Sequence, residues 1–311
     1  MTMTSPDFTK RRRALAWAAT QSWAIERRAL EHLLQIAARE HDPDFDAVLA
    51  RQGERLRAAA DVQVRDSVAI LEIVGPIFPY ANLFTRISGA TSIDQAALDL
   101  HAALADPRVR AIVLNIDSPG GATKGISDFA KMVRGASKHV VAFVSGSAAS
   151  AAYWIAAAAA EVVVSDTAIV GSIGIVAQIR LDEDDKLLEI VSSQSPDKRP
   201  NLRTDAGRAV VQRTVDELAQ VFIEAVAGYR RVSTDKVTQD FGRGGVLVGR
   251  NAVTAGMGDS IGTLESVLES FANGGHGPAW AGLARQTAAE RSTRETAVGA
   301  GPNVVALRRL R

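Results

Sequence analysis

A chain of 311 residues is long enough for one large α/β domain with appendages, and a hydrophobic share of 47% provides for a sizeable core. Charge is almost balanced, with 36 Lys and Arg against 35 Asp and Glu, so the basic excess of a dedicated nucleic-acid binder is absent. There is no cysteine, which excludes disulfides, thiolate catalysis and Cys-ligated zinc and fits a reducing compartment.

In chain order, residues 1–61 read as a helical N-terminal arm. Ala18, Trp23, Ile25, Leu30, Leu33, Leu34 and Ile36 give a rough helical stripe among charged positions. Lys10 to Arg13 precede it, but Gln21, Glu26, Arg27 and Arg28 follow too soon for a secretory apolar region. Regular alternation begins at Val62. Val68–Val74 predicts a buried strand closed by Gly75-Pro76. Ser92 and Gln95 form a capping-box pattern, behind which Ala96, Ala97, Leu100, Ala103 and Leu104 share one helix face. Ala111–Ile116 is the next strand; Ile126, Phe129, Ala130 and Val133 mark a helix; Val140–Val144 is a third strand.

An Ala-rich helix follows, then the strand Glu161–Val164. The apolar run from Ala148 to Ala160 ends at Glu161, well short of the about twenty residues a membrane-spanning helix needs. A long helix is predicted from about Thr204 to Arg230, with Val211, Val215, Leu218, Phe222 and Val226 on one side. From residue 273 to 311 periodicity is lost, and the composition predicts a flexible C-terminal tail. Strands alternating with helices over 62–272 imply βαβ units and a largely parallel sheet.

Three glycine-containing turns each follow a strand: Asp117–Gly121, Ser145–Trp154 and Gly171–Gly174. Sites in open α/β sheets form at the carboxyl ends of strands, so these segments are candidates to converge on one crevice. Gly120 and Gly121 present unobstructed backbone N–H groups of the kind that hold an oxyanion, or form an ordinary strand-to-helix turn. Ser150 opens a helix among Ala148, Ala149, Ala151 and Ala152, where a substrate backbone can approach and amide donors point the same way. It also reads as a plain N-cap, and Ser145 and Ser147 compete for either role.

A nucleophilic serine needs a base. The histidines are His32, His41, His101, His139 and His276, and none lies between Ser150 and the tail. After Ser150 only Lys186, Lys198 and Lys236 remain as lysines. Lys186 sits in an acidic run and Lys236 on a polar helical surface, while Lys198 lies between a strand-like segment, Leu187–Val191, and the long helix. If its segment is extended, the neighbours Asp197 and Arg199 point away from it. A lysine acts as a base only when neutral, which desolvation favours.

Taken as an ordered series, Asp117-Ser-Pro-Gly-Gly121, Ala148-Ala-Ser150-Ala-Ala-Tyr-Trp-Ile155 and Val170-Gly-Ser-Ile-Gly174 resemble the signal peptide peptidase A family of serine peptidases. The nearer likeness is to its phage branch, the head (capsid) maturation proteases of tailed phages and prophages. Pro76–Gly89 and the Gly249-x-x-Ala252-x-x-x-Gly256 pattern add to it, and the likeness covers about residues 62–272. The resemblance implies an α/β, Clp/crotonase-like core of repeated ββα/βαβ units and a Ser–Lys dyad, with Ser150 as nucleophile and Lys198 as base. It matches Gly120, Gly121 and the N–H of Ala151 to the oxyanion hole. It further implies no metal or other cofactor, a homo-oligomer, and protein substrates such as capsid, scaffold or portal proteins, met in the bacterial cytoplasm or inside the procapsid. A host-encoded peptidase of the same family, a crotonase-like acyl-CoA enzyme and a non-enzymatic assembly protein on this fold are the competing readings.

Overall fold

A computed structural model describes residues 22–26, 29–31, 62–81, 90–179 and 191–272. The strands are β1 (Ser22–Ile25), β2 (Gln63–Arg65), β3 (Val68–Val74), β4 (Ile77–Phe78), β5 (Thr91–Ser92), β6 (Ala111–Ser118), β7 (Gly120–Ala122), β8 (His139–Ala149), β9 (Glu161–Val164), β10 (Ile169–Gly171), β11 (Val176–Ala177), β12 (Val246–Val248) and β13 (Ser260–Ile261). The helices are α1 (Ile93–Ala105), α2 (Ile126–Arg134), α3 (Ala151–Ala158), α4 (Asp205–Arg230), α5 (Thr234–Asp240), α6 (Gly249–Ala255) and α7 (Leu264–Ala272), with a 3-10 turn at Pro196–Lys198.

The main sheet runs β12-β10-β8-β6-β3-β2, with β9 also on β8 and β13 on β9. Its centre, β3-β6-β8, is parallel, and its interior strands are near-continuous apolar runs because helices cover both faces. This is the α/β class expected, with parallel strands at the centre of the main sheet. One feature of β8 sets up the site. Its first half pairs with β9 (Val141–Val144 against Glu161–Val164) and its last three residues pair with β10 (Ser147–Ala149 against Ile169–Gly171). The sheet therefore changes partner just before Ser150. A second, smaller sheet runs β11-β1-β7-β4-β5 beside that point.

The Ala-rich α3 is buried along its whole length, as a helix apolar on every side must be. Trp154 stacks on Phe222 of α4 with ring centroids 4.5 Å apart and planes 6° from parallel. Tyr153 is buried and donates to the Met257 carbonyl at 3.0 Å.

Where the arm is described it differs from its sequence reading, while Ala18, Leu33, Leu34 and Ile36 of the expected stripe lie outside the described residues. Trp23 and Ile25, placed on a helical stripe, lie instead in strand β1; Ala29–Glu31 is helical. Trp23 and Ile25 are two residues apart, the strand period, and pack with Leu30, Phe78 and Ala122. Ala24 points the other way, into the main core. Ser92 caps α1 by accepting from the Gln95 N–H, but the Gln95 side chain turns to Asp99, so the capping box is half made. The expected tail, 273–311, lies outside the described residues.

Candidate active site

Strand β8 does not turn at Ser145, as the glycine-containing sequence suggests. It continues to Ala149. Gly146 stays in the strand because the Asp117 carboxylate occupies the place of a side chain; a Cβ there would lie 2.4 Å from Asp117 Oδ1. The same carboxylate accepts the Ser147 N–H at 3.0 Å. Ser145 Oγ donates to the Ile116 carbonyl. Both competing serines are thus strand residues engaged with β6.

The turn is made by Ser150 alone, with φ 55° and ψ −118°. A non-glycine residue in that region is strained by about 1–3 kcal/mol, and such strain gathers at functional sites. A serine held on a sharp, strained strand-to-helix turn is the elbow geometry that presents a nucleophile. Ser150 heads α3 but makes no side-chain capping bond, so the plain N-cap reading fails. Its N–H donates to the Gly171 carbonyl at 2.7 Å, and Oγ donates weakly to the Gly174 carbonyl at 3.4 Å. The residue is 1% exposed.

The glycine edge lies against this elbow. Gly120 has φ +94°, and a Cβ on it would stand 2.8 Å from the Ala149 carbonyl oxygen and 3.0 Å from the Ala151 nitrogen. Gly121 is packed so closely on Ile77 that a Cβ would fall 1.9 Å from the Ile77 carbonyl oxygen. The structure therefore brings Gly120, Gly121, Ser150 and Ala151 together. The Gly120 N–H is held by Ser118 Oγ at 3.2 Å, and that hydroxyl donates to the Gly75 carbonyl at 2.7 Å. Ser118 is buried and ties the glycine turn to the end of β3; the sequence reading passed over it. As the first residue of α3, Ala151 carries an N–H without an intrahelical acceptor.

Lys198 is exposed, on the 3-10 turn rather than on an extended segment. Its N–H donates to the Ser195 carbonyl at 3.1 Å, and within the described chain its ammonium is not hydrogen-bonded to Ser150. Lys236 is tied to Asp240 at 3.1 Å, and Lys186 lies outside the described residues. His101 is exposed on α1. His139 begins the strand that Ser150 ends, which separates them by roughly 35 Å at about 3.3 Å per residue. It is half-buried against Glu161 and Phe271 rather than simply solvated, and burial lowers its pKa.

The description "Peptidase family S49" fits residues 133–183 and 199–276, which span β8, the Ser150 elbow, α3 and the helices after Lys198. Over those residues the chain is similar to the S49 peptidases. It is 28% identical over 257 residues to "Head-tail preconnector protein GP5" of Enterobacteria phage P21, covering 75% of this chain and 51% of that protein. "Capsid assembly protease C" of Escherichia phage lambda is 28% identical over 215 residues, covering 66% of this chain and 48% of the relative. "Protease 4" of Salmonella typhi is 30% identical over 189 residues, covering 58% and 30%. The chain thus spans about half the length of the two phage relatives and less of the third. Among the described residues no helix is long and apolar enough to cross a membrane, and no cluster of metal-ligating side chains occurs.

Proposed function

We propose that the chain is a serine endopeptidase in which Ser150 is the nucleophile, Lys198 the base, and the amides of Gly121 and Ala151 the oxyanion donors. Gly120 serves this site by shape, since its own N–H is occupied by Ser118. The observation that carries the reading is the strained, uncapped Ser150 elbow facing a glycine edge. Ser150 Oγ adds to a peptide carbonyl carbon while its proton passes to Lys198 Nζ, which has to come in from its exposed place on the 3-10 turn to take it. The two amides take up the negative charge that develops on the carbonyl oxygen. The C–N bond then breaks, Lys198 returns the proton to the departing amine, and water repeats the sequence on the ester. The likeness to phage proteins named for capsid assembly and head–tail connection supports substrates among the structural proteins of a phage head.

The lysine assignment rests on the family resemblance and on the elimination of other bases. It is tested by incubating the protein with co-encoded capsid or scaffold proteins, or with casein. Lys198→Arg should be inactive, because arginine does not give up its proton at usable pH. Wild-type activity should rise with pH, and Lys236→Ala should match wild type. Full activity in Lys198→Arg would overturn the dyad.

A further inference from the structure

The arm strand β1 occupies the position that an extended substrate would need. It lies between β7 and β11, antiparallel to both: Trp23, Ala24 and Ile25 stand opposite Ala122, Gly121 and Gly120, and Ser22 and Trp23 stand opposite Ala177 and Val176. One flank is thus the glycine edge of the site, and the other is the segment that follows Gly174. The Thr123 N–H donates to the Ser22 carbonyl at 3.2 Å, and the Glu26 N–H donates to the Pro119 carbonyl at 2.9 Å. Bonded pairs recur every second residue in an antiparallel ladder, so Ala24 and Gly121, midway between, form a pair of the same kind. The Ala24 carbonyl therefore faces the Gly121 N–H.

That carbonyl also lies at the elbow. A Cβ built on Gly120 would be 2.2 Å from the Ala24 oxygen and 3.0 Å from the Ala151 nitrogen. The oxygen of Ala24, which faces the Gly121 amide, thus shares with the Ala151 nitrogen the side of Gly120 that a Cβ would fill. The strand is anchored by large side chains on its other face, where Trp23 meets Phe78 edge-on with centroids 6.4 Å apart. Ala24 itself is fully buried.

We propose that Ser22–Glu26 is an internal substrate strand, that Ala24–Ile25 is a self-cleavage bond, and that the site takes extended apolar segments with a small residue on the acyl side of the cut. This rests on the peptidase reading above. Ser150 Oγ bonds to the Ala24 carbonyl carbon, the C–N bond to Ile25 breaks, and the proton taken from Ser150 goes to the Ile25 nitrogen. Water then releases Ser150 and leaves Ala24 as a carboxylate. Until that cut is made, the arm blocks the cleft to other chains.

Intact-mass spectrometry and N-terminal sequencing of the purified full chain test this, with casein cleavage followed in parallel. The expected result is a chain beginning at Ile25 in wild type and an uncut chain in Ser150→Ala. Ala24→Ser should still be cut, while Ala24→Arg should slow the cut at least tenfold. Ser150-dependent cleavage of casein by a chain that stays joined at Ala24–Ile25 would overturn this proposal and leave the peptidase reading intact. A chain that cuts neither itself nor casein, and whose Ser150 is not labelled by a fluorophosphonate, would overturn both.

Discussion

Replacing Ser150 by alanine and by glycine separates the strain of the elbow from its chemistry. At φ 55° and ψ −118° any residue with a Cβ is strained, at a cost of about 1–3 kcal/mol. Alanine removes the hydroxyl and keeps that strain. Glycine removes both, and it loses about 0.5–1 kcal/mol to its greater freedom in the unfolded chain. The hydroxyl's 3.4 Å contact with Gly174 is absent from both variants and cancels. Ser150→Gly should therefore be more stable than Ser150→Ala by about 0–2.5 kcal/mol. In a domain of this size, thermal unfolding should shift by roughly 2–4 °C for each kcal/mol. Differential scanning calorimetry of the two variants at one concentration reads the difference directly. Neither should cleave protein substrates. A glycine variant that melts below the alanine variant would show that the elbow holds less strain than the cost of glycine itself, about 0.5–1 kcal/mol, and the argument from its backbone to a nucleophile would fail.

Three further outcomes follow from the packing. Burial, with a smaller push from the charge of Asp259, raises Glu161 to about 8, while the facing His139 is lowered from its ordinary value near 6.5 by burial and Arg230 is bound to Asp259 at 2.7 Å. Between about pH 6.5 and 8 the folded chain keeps a proton on Glu161 that the unfolded chain has lost, so stability should fall across that window by at most about 2 kcal/mol, less for partial solvent screening; urea denaturation of Glu161→Gln should show a flatter profile, and an unchanged slope would contradict the shift. Trp154→Ala removes the stacked partner of Phe222 from the core and should cost about 3–5 kcal/mol in chemical denaturation; a loss below about 1 kcal/mol would mean that the α3–α4 contact is not part of the cooperative core. The first half of α4, where only Gly207 is buried from Asp205 to Gln220, carries the half-exposed Val211, Val215 and Leu218; if this face joins copies of the chain, Leu218→Asp should lower the mass measured by light scattering, and an unchanged oligomer would exclude it.

The sheet and its helices were legible because their patterns have one reading. Val68–Val74 is apolar, β-branched and closed by Gly-Pro, and it is a strand with those limits. Thr204 was the expected start of the long helix, and it caps α4 by accepting the Gly207 N–H at 3.1 Å. The chemistry-bearing turns were legible as positions but not as geometry. Ser145-Gly146-Ser147 has turn composition, yet the distant Asp117 carboxylate keeps it in β8. Ser118 looks like a neutral loop residue until its two hydrogen bonds to the glycine turn and to β3 are seen. Trp23 and Ile25 fit a loose helical stripe in isolation, and only the two open edges of β7 and β11 make a strand of them. Elimination and resemblance point to Lys198, and its exposed position on a 3-10 turn has no counterpart in its local sequence pattern.

The identity of Ser150 as nucleophile is tested most directly by covalent labelling. A fluorophosphonate probe should add to the wild-type chain once, on the tryptic peptide that contains Ser150, and the label should vanish together with proteolysis in Ser150→Ala. Labelling at another serine, or proteolysis at the wild-type rate in Ser150→Ala, would contradict the account.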